Sequence, residues 1–161
     1  MSMNNFEIWG WDKKDRTMIR FIKAGDVFCF LNDKNTYCFG RIVSKVSIGN
    51  VAEIFDFVSL TPDIKINEIE ESKRLIDLVI LDSYSLFDKK IEGDWRIIGR
   101  QKDFSPTEFE NIYFAYGVGD SCRKVDIFDH EVPITELEAK GLQDYSPLGN
   151  YDINDMIKDK L

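Results

Sequence analysis

The stretch GDVFCFLNDKNTYCFGRIV, residues 25–43, constrains this chain more than any other. Two apolar and aromatic runs flank Asn32, Asp33, Lys34 and Asn35. Asn and Asp tolerate left-handed backbone and bond locally, so the segment predicts an antiparallel hairpin. Alternation sends Val27, Cys29 and Leu31 to one face and Phe28 and Phe30 to the other. A loop of two or four residues makes positions whose numbers sum to 67 face each other, placing Cys29 opposite Cys38 and Phe30 opposite Tyr37. Two facing thiols could pair or bind a metal, but two are too few for a closed zinc site. The plainer reading is a pair of small buried hydrophobes.

The remaining chain continues the β theme with short helical insertions. VAEIFDFVS, residues 51–59, has β-branched and aromatic side chains at both parities, as a strand covered on both faces requires. TPDIKINEIEESKRLI predicts a short helix. LVILDSYSLF and GDWRIIG read as two strands joined by a solvated turn over residues 88–93, so residues 78–99 are expected to form a hairpin. Ser105-Pro106-Thr107-Glu108 has the form of a capping box opening a short helix before the strand YFAYG. YGVGD reads as a two-glycine tight turn, and SCRKVDIFDHEVPI as one further strand ending at Pro133. Thr135-Glu136-Leu137-Glu138 is a second capping box, with Gly141 as the stop. Ile153, Met156, Ile157 and Leu161 recur at helical spacing, with acids on the opposite side. The expected fold is α+β: one domain over residues 1–161, mainly antiparallel sheet that could curl into a barrel, with a few short helices and more helix toward the C-terminus.

A chain of 161 residues, 43% of them hydrophobic, can bury a sizeable core. Three cysteines, an odd number, argue against a disulfide framework and suit a reducing compartment. MSMNNFEIWGWDKKDR lacks the apolar region of a secretory signal, so the expected location is cytoplasmic. The net charge of −8 is uneven. Residues 1–125 hold 20 acidic and 18 basic side chains, whereas residues 126–161 hold nine acids against Lys140, Lys158 and Lys160. An acidic face repels nucleic acid and anionic lipid and attracts a basic partner.

Chemistry for catalysis is sparse. His130, the lone histidine, lies between Asp129 and Glu131, and no cysteine or serine sits in a nucleophile motif. Glycine-rich phosphate loops are absent. Asp82, Asp94 and His130 would form a metal-dependent hydrolytic site only if they shared a cleft. Trp9, Trp11 and Trp95 could instead line an aromatic ligand pocket, although such tryptophans usually pack in cores or rims. No cofactor is called for.

Four ordered blocks carry a resemblance to a known family. They are GDVFCF at residues 25–30, YCFGRI at 37–42, AEIFDF at 52–57 and LDSYSLFDKKIEGDWRIIG at 81–99. In that order they resemble the immunity protein 26 family of bacterial polymorphic-toxin systems, and the resemblance runs over roughly residues 6–100. It implies a protein that binds a cognate toxin's C-terminal domain and neutralises it, as in contact-dependent growth inhibition, with no catalytic residues of its own. An acidic inhibitor suits a basic toxin domain such as a nuclease. Blocks rich in Phe, Ile and Val are expected to hold the sheet, leaving toxin contact to the acidic C-terminal part. Glu131, Glu136, Glu138, Asp144, Asp152 and Asp155 are the expected acidic contacts, and Tyr145 and Tyr151 the expected aromatic anchors. Neither nucleic acid nor membrane is an expected partner.

Overall fold

The residue 25–43 hairpin forms, in a register one step from the expected one. A computed structural model describes residues 5–13, 22–106, 109 and 111–161. Strand β1 is Phe6–Ile8, β2 is Asp26–Leu31 and β3 is Tyr37–Val46. Asn32 and Thr36 still pair, the Asn32 amide donating to the Thr36 carbonyl at 2.9 Å, so the loop has three residues and ends with Asn35 at φ 61°. The Asn32 carboxamide oxygen accepts the backbone N–H groups of Lys34 and Thr36 and holds this loop shut. An odd loop shifts the parity: Cys29 faces Phe39, Phe30 faces Cys38, and Leu31 faces Tyr37. Cys38 therefore joins the core on the Phe28 and Phe30 side, and Cys29 the core on the Val27 side. All three cysteines are free and buried, and burial pushes the Cys29 and Cys38 thiols above their ordinary pKa.

Strand β4, Gly49–Ser59, pairs with β3 and is buried at both parities over its first half, as expected. Gly40 sits where β3 and β4 cross the Phe28 ring; a Cβ there would lie 2.4 Å from both that ring and the Glu53 carbonyl. Helix α1 (Ile66–Glu71) follows, then β5 (Val79–Leu81), α2 (Ser83–Phe87) and β6 (Trp95–Gln101). The expected hairpin over residues 78–99 does not form. In the order β1-β6-β2-β3-β4-β5, every neighbouring pair is antiparallel, so β5 and β6 run parallel with three strands between them. Parallel strands need a crossover, and residues 82–94 supply it. A strand would point Leu86 and Phe87 to opposite sides; as a helix both enter one core with Phe28, Phe30 and Trp95. Residues 88–92 are the expected solvated turn.

A second sheet, in the order β10-β7-β8-β9, contains β7 (Tyr113–Tyr116), β8 (Arg123–Asp126), β9 (Glu131–Pro133) and β10 (Gln143–Asp144). Here the single strand expected over SCRKVDIFDHEVPI is a hairpin. The Asp126 carboxylate accepts the N–H groups of Phe128 and His130, and Asp129 takes φ 69°, a turn built from local acids. Helix α3, Glu136–Ala139, opens with the expected box: Thr135 Oγ accepts the Glu138 N–H at 3.1 Å, and the Glu138 carboxylate reaches back to Thr135. Helix α4, Asn150–Ile157, buries Ile153 and Ile157 as expected, whereas Met156 is exposed and Leu161 lies exposed beyond its end. The helix expected from Ser105 falls on residues 107 and 108, outside the described residues.

The six-stranded sheet is covered on both faces. Helices α2 and α4 cover one through Leu86, Phe87, Ile153 and Ile157. On the other, Ile64 and Ile69 pack at one end, and Phe114 of β7 and Ile127, just after β8, meet Val43, Val51 and Ile80 at the other. Among the described residues the fold is α+β and largely antiparallel, with four short α-helices; the large sheet ends at β1 and β5 and closes no barrel.

Candidate functional site

The second sheet gathers aromatic and acidic groups at one end. Phe114 and Tyr116 share a face of β7 because they are two residues apart. Phe114 is buried in the core between the sheets, and Tyr116, one step farther out, is 41% exposed. Tyr116 faces Arg123 across the β7–β8 pair. Its hydroxyl donates to Glu131 at 2.5 Å, and Arg123 lies 3.7 Å from the same carboxylate oxygen. The Tyr145 ring is 5.7 Å from that of Tyr116, and its hydroxyl donates to Asp129 at 2.8 Å. Asp129 also accepts the Ser47 N–H at 3.0 Å and the Ser47 hydroxyl, which ties this sheet to the β3–β4 turn.

The ionisation of these groups follows from the geometry. Burial opposes the Asp129 charge, but the donors Ser47 and Tyr145 outweigh it and hold its carboxyl below the ordinary range. The hydrogen bond to Glu131 raises the Tyr116 phenol, and burial, joined by the bond to Asp129, raises that of Tyr145. Both phenols stay protonated donors, and the Asp129 carboxylate stays anionic.

The expected contact residues fall into two groups. Glu131, Glu136, Glu138, Asp144 and Tyr145 lie on or beside the second sheet. Glu136 accepts the Gly119 N–H at 2.9 Å, which joins α3 to the turn containing Val118. Asp144 is exposed on β10, at the opposite edge from Glu131 on β9. Tyr151, Asp152 and Asp155 lie on α4, against the large sheet. Tyr151 is 83% exposed, Asp152 caps the Gly149 N–H at 3.0 Å, and Asp155 pairs with Lys158 at 2.9 Å, raising the lysine's pKa. Tyr116, Val118, Asp129 and Leu137 belong to the first surface and escape a reading by residue type, because strand register and turn geometry bring them there.

The two other constellations do not assemble. Asp82 follows β5 and Asp94 precedes β6, four strand spacings or about 19 Å across the sheet, and His130 is in the β8–β9 turn. Among the described residues no three His, Cys, Asp or Glu side chains are grouped to hold a metal. Trp95 is buried, stacked on Phe30 with ring centroids 3.9 Å apart. Trp11 instead carries the Arg96 guanidinium at 3.9 Å and Trp9 that of Arg100 at 5.1 Å, so the three indoles line no common pocket. Among the described residues no helix is long and apolar enough to cross a membrane.

The four blocks build one connected part of the large sheet. Gly25, Phe28 and Phe30 build β2 and its approach, Gly40 the close crossing, and Trp95 and Ile98 the strand β6 that lies between β1 and β2. The family model for immunity protein 26 matches residues 23–126, beginning later and ending farther along than the resemblance read over roughly residues 6–100. No curated protein and no solved structure matches the chain. The match takes in β2 through β8, the whole large sheet except β1 and half of the second, and on that evidence the chain belongs to the immunity protein 26 family.

Proposed function

We propose that this protein neutralises a cognate toxin domain by stoichiometric binding, in the cytoplasm, with no catalytic step of its own. The observation that carries the reading is the immunity protein 26 match over residues 23–126. The charge distribution supports a basic toxin domain, a nuclease among the candidates. Residues 126–161 carry nine acids against three lysines, and all eight expected contact residues lie beyond the matched segment. Long-range attraction would steer such partners together, and an acidic surface would occupy the groove that takes phosphate. The toxin-facing surface is accordingly proposed on the C-terminal part, with Glu131, Glu136, Glu138, Asp144, Tyr145, Tyr151, Asp152 and Asp155 as its first set of contacts.

The test is to express the toxin C-terminal domain encoded beside this gene with and without this chain. Growth should be restored by co-expression, and the purified pair should elute as a one-to-one complex with toxin activity abolished at equivalence. A toxin domain that remains active in excess of this protein would sink the proposal.

A further inference from the structure

Helix α3 has four residues and buries none of them. Its one large apolar side chain, Leu137, is 79% exposed. What holds the helix is polar: the Thr135–Glu138 box at its start, the Lys140 and Gly141 N–H groups returning to the helix carbonyls, and the Ile134 N–H bonded to the Cys122 carbonyl of the sheet. The neighbouring turn is equally fixed. Gly117 takes φ 98°, and a Cβ there would meet the Ser121 carbonyl oxygen at 2.4 Å. Ser121 accepts the Val118 N–H and donates to the Val118 carbonyl. This turn holds Val118 80% exposed, and the Gly119–Glu136 hydrogen bond of 2.9 Å brings it beside α3.

Two large apolar side chains are thus held in water on two hydrogen-bonded segments that the Gly119–Glu136 bond joins. Folding does not require them there; a polar residue at either place would leave every cap intact. Pre-organised apolar anchors of this kind lower the ordering cost of an association. Around them stand Asp120, Glu136 and Glu138, none of which makes an ion pair among the described residues. On α4, by contrast, Asp155 is paired with Lys158. The uncompensated negative field lies at the end of the second sheet, which opposes a second copy of a chain of net charge −8 and opposes anionic lipid equally.

We infer that Val118 and Leu137, in the acidic collar of Asp120, Glu136 and Glu138, form the surface that seats the toxin domain, through an apolar hollow on the toxin flanked by Lys or Arg. This rests on the function proposed above and selects one of its two groups of residues, the sheet end over α4.

The experiment measures affinity of the full-length chain for the adjacent toxin domain, with three variants: Val118→Arg/Leu137→Arg, Leu137→Ser and Tyr151→Ala. Both apolar positions are exposed, so the melting temperature of each variant should match the parent. The double variant should bind about 100-fold more weakly and Leu137→Ser about tenfold, while Tyr151→Ala stays within threefold. If the parent neutralises the toxin and both surface variants bind within threefold of it, this surface is wrong and the immunity function stands. Loss of affinity in Tyr151→Ala alone would move the interface to α4 and overturn the inference. If the parent itself fails to neutralise the toxin, the function and this surface fall together.

Discussion

Asp129 shows how one side chain joins two sheets. It stands at φ 69° in the β8–β9 turn, where Asp and Asn are tolerated and most residues are strained. Its carboxylate collects the Ser47 and Tyr145 donors. Replacing it with Asn keeps the backbone preference and removes the charge that strengthens those bonds, so Asp129→Asn should cost about 1.5 kcal/mol at pH 7. The pH dependence has a definite sign. The folded carboxyl lies below its ordinary range, so its contribution is complete above the unfolded pKa of about 4 and is lost as the pH falls through the folded value. Urea denaturation of both proteins at pH 7 and near pH 2 should show the gap close in acid. Equal stability at pH 7 would show that the contact contributes nothing. The Cys29 and Cys38 pairing fails at the same scale: one extra loop residue, stabilised by Asn32 and Asn35, turned the thiols to opposite faces.

Among the elements, α4 couples the acidic C-terminal part to the most family-like strand. The Trp95 indole N–H donates to Asn150 at 2.8 Å, Asn154 accepts the Asp33 N–H at 3.1 Å, and Lys34 reaches the Lys158 carbonyl at 2.9 Å. Ile153 and Ile157 complete the core around Phe28, Phe30 and Trp95. Ile153→Ala should therefore cost about 3 kcal/mol through the cavity it leaves, although alanine is the better helix former. Calorimetry should show a melting point lower by about 10 °C; an unchanged melting point would mean that α4 is not part of the cooperative core. The spacing in YDINDMIKDKL made this helix readable because amphipathic periodicity is local. Helix α2 was not readable in DSYSLF, where Leu86 and Phe87 allow either period and only the need to cross from β5 to β6 selects helix.

For the whole molecule, the relevant property is the field. With −8 overall and the C-terminal 36 residues carrying most of it, association with a basic toxin domain should slow about tenfold between 50 and 500 mM salt, with dissociation nearly unchanged. Stopped-flow association rates test this, and a salt-independent rate would remove the electrostatic part of the proposed function. The acids themselves were legible from composition. Their division was not: Asp152 caps α4 and Asp155 pairs with Lys158, whereas Asp120, Glu136 and Glu138 frame exposed Val118 and Leu137.

The amino-acid sequence by itself determined the hairpin at residues 25–43, the capped α3, the amphipathic α4, the acidic C-terminal charge and the family. Each depends on neighbours a few residues apart or on ordered motifs. Only the tertiary structure decided that β5 and β6 lie three strands apart, that Cys29 and Cys38 face different cores, and that Tyr116, Val118 and Leu137 share one end of the second sheet. Those outcomes depend on register parity and on which apolar faces find cover, and both are set by contacts between residues distant in the chain.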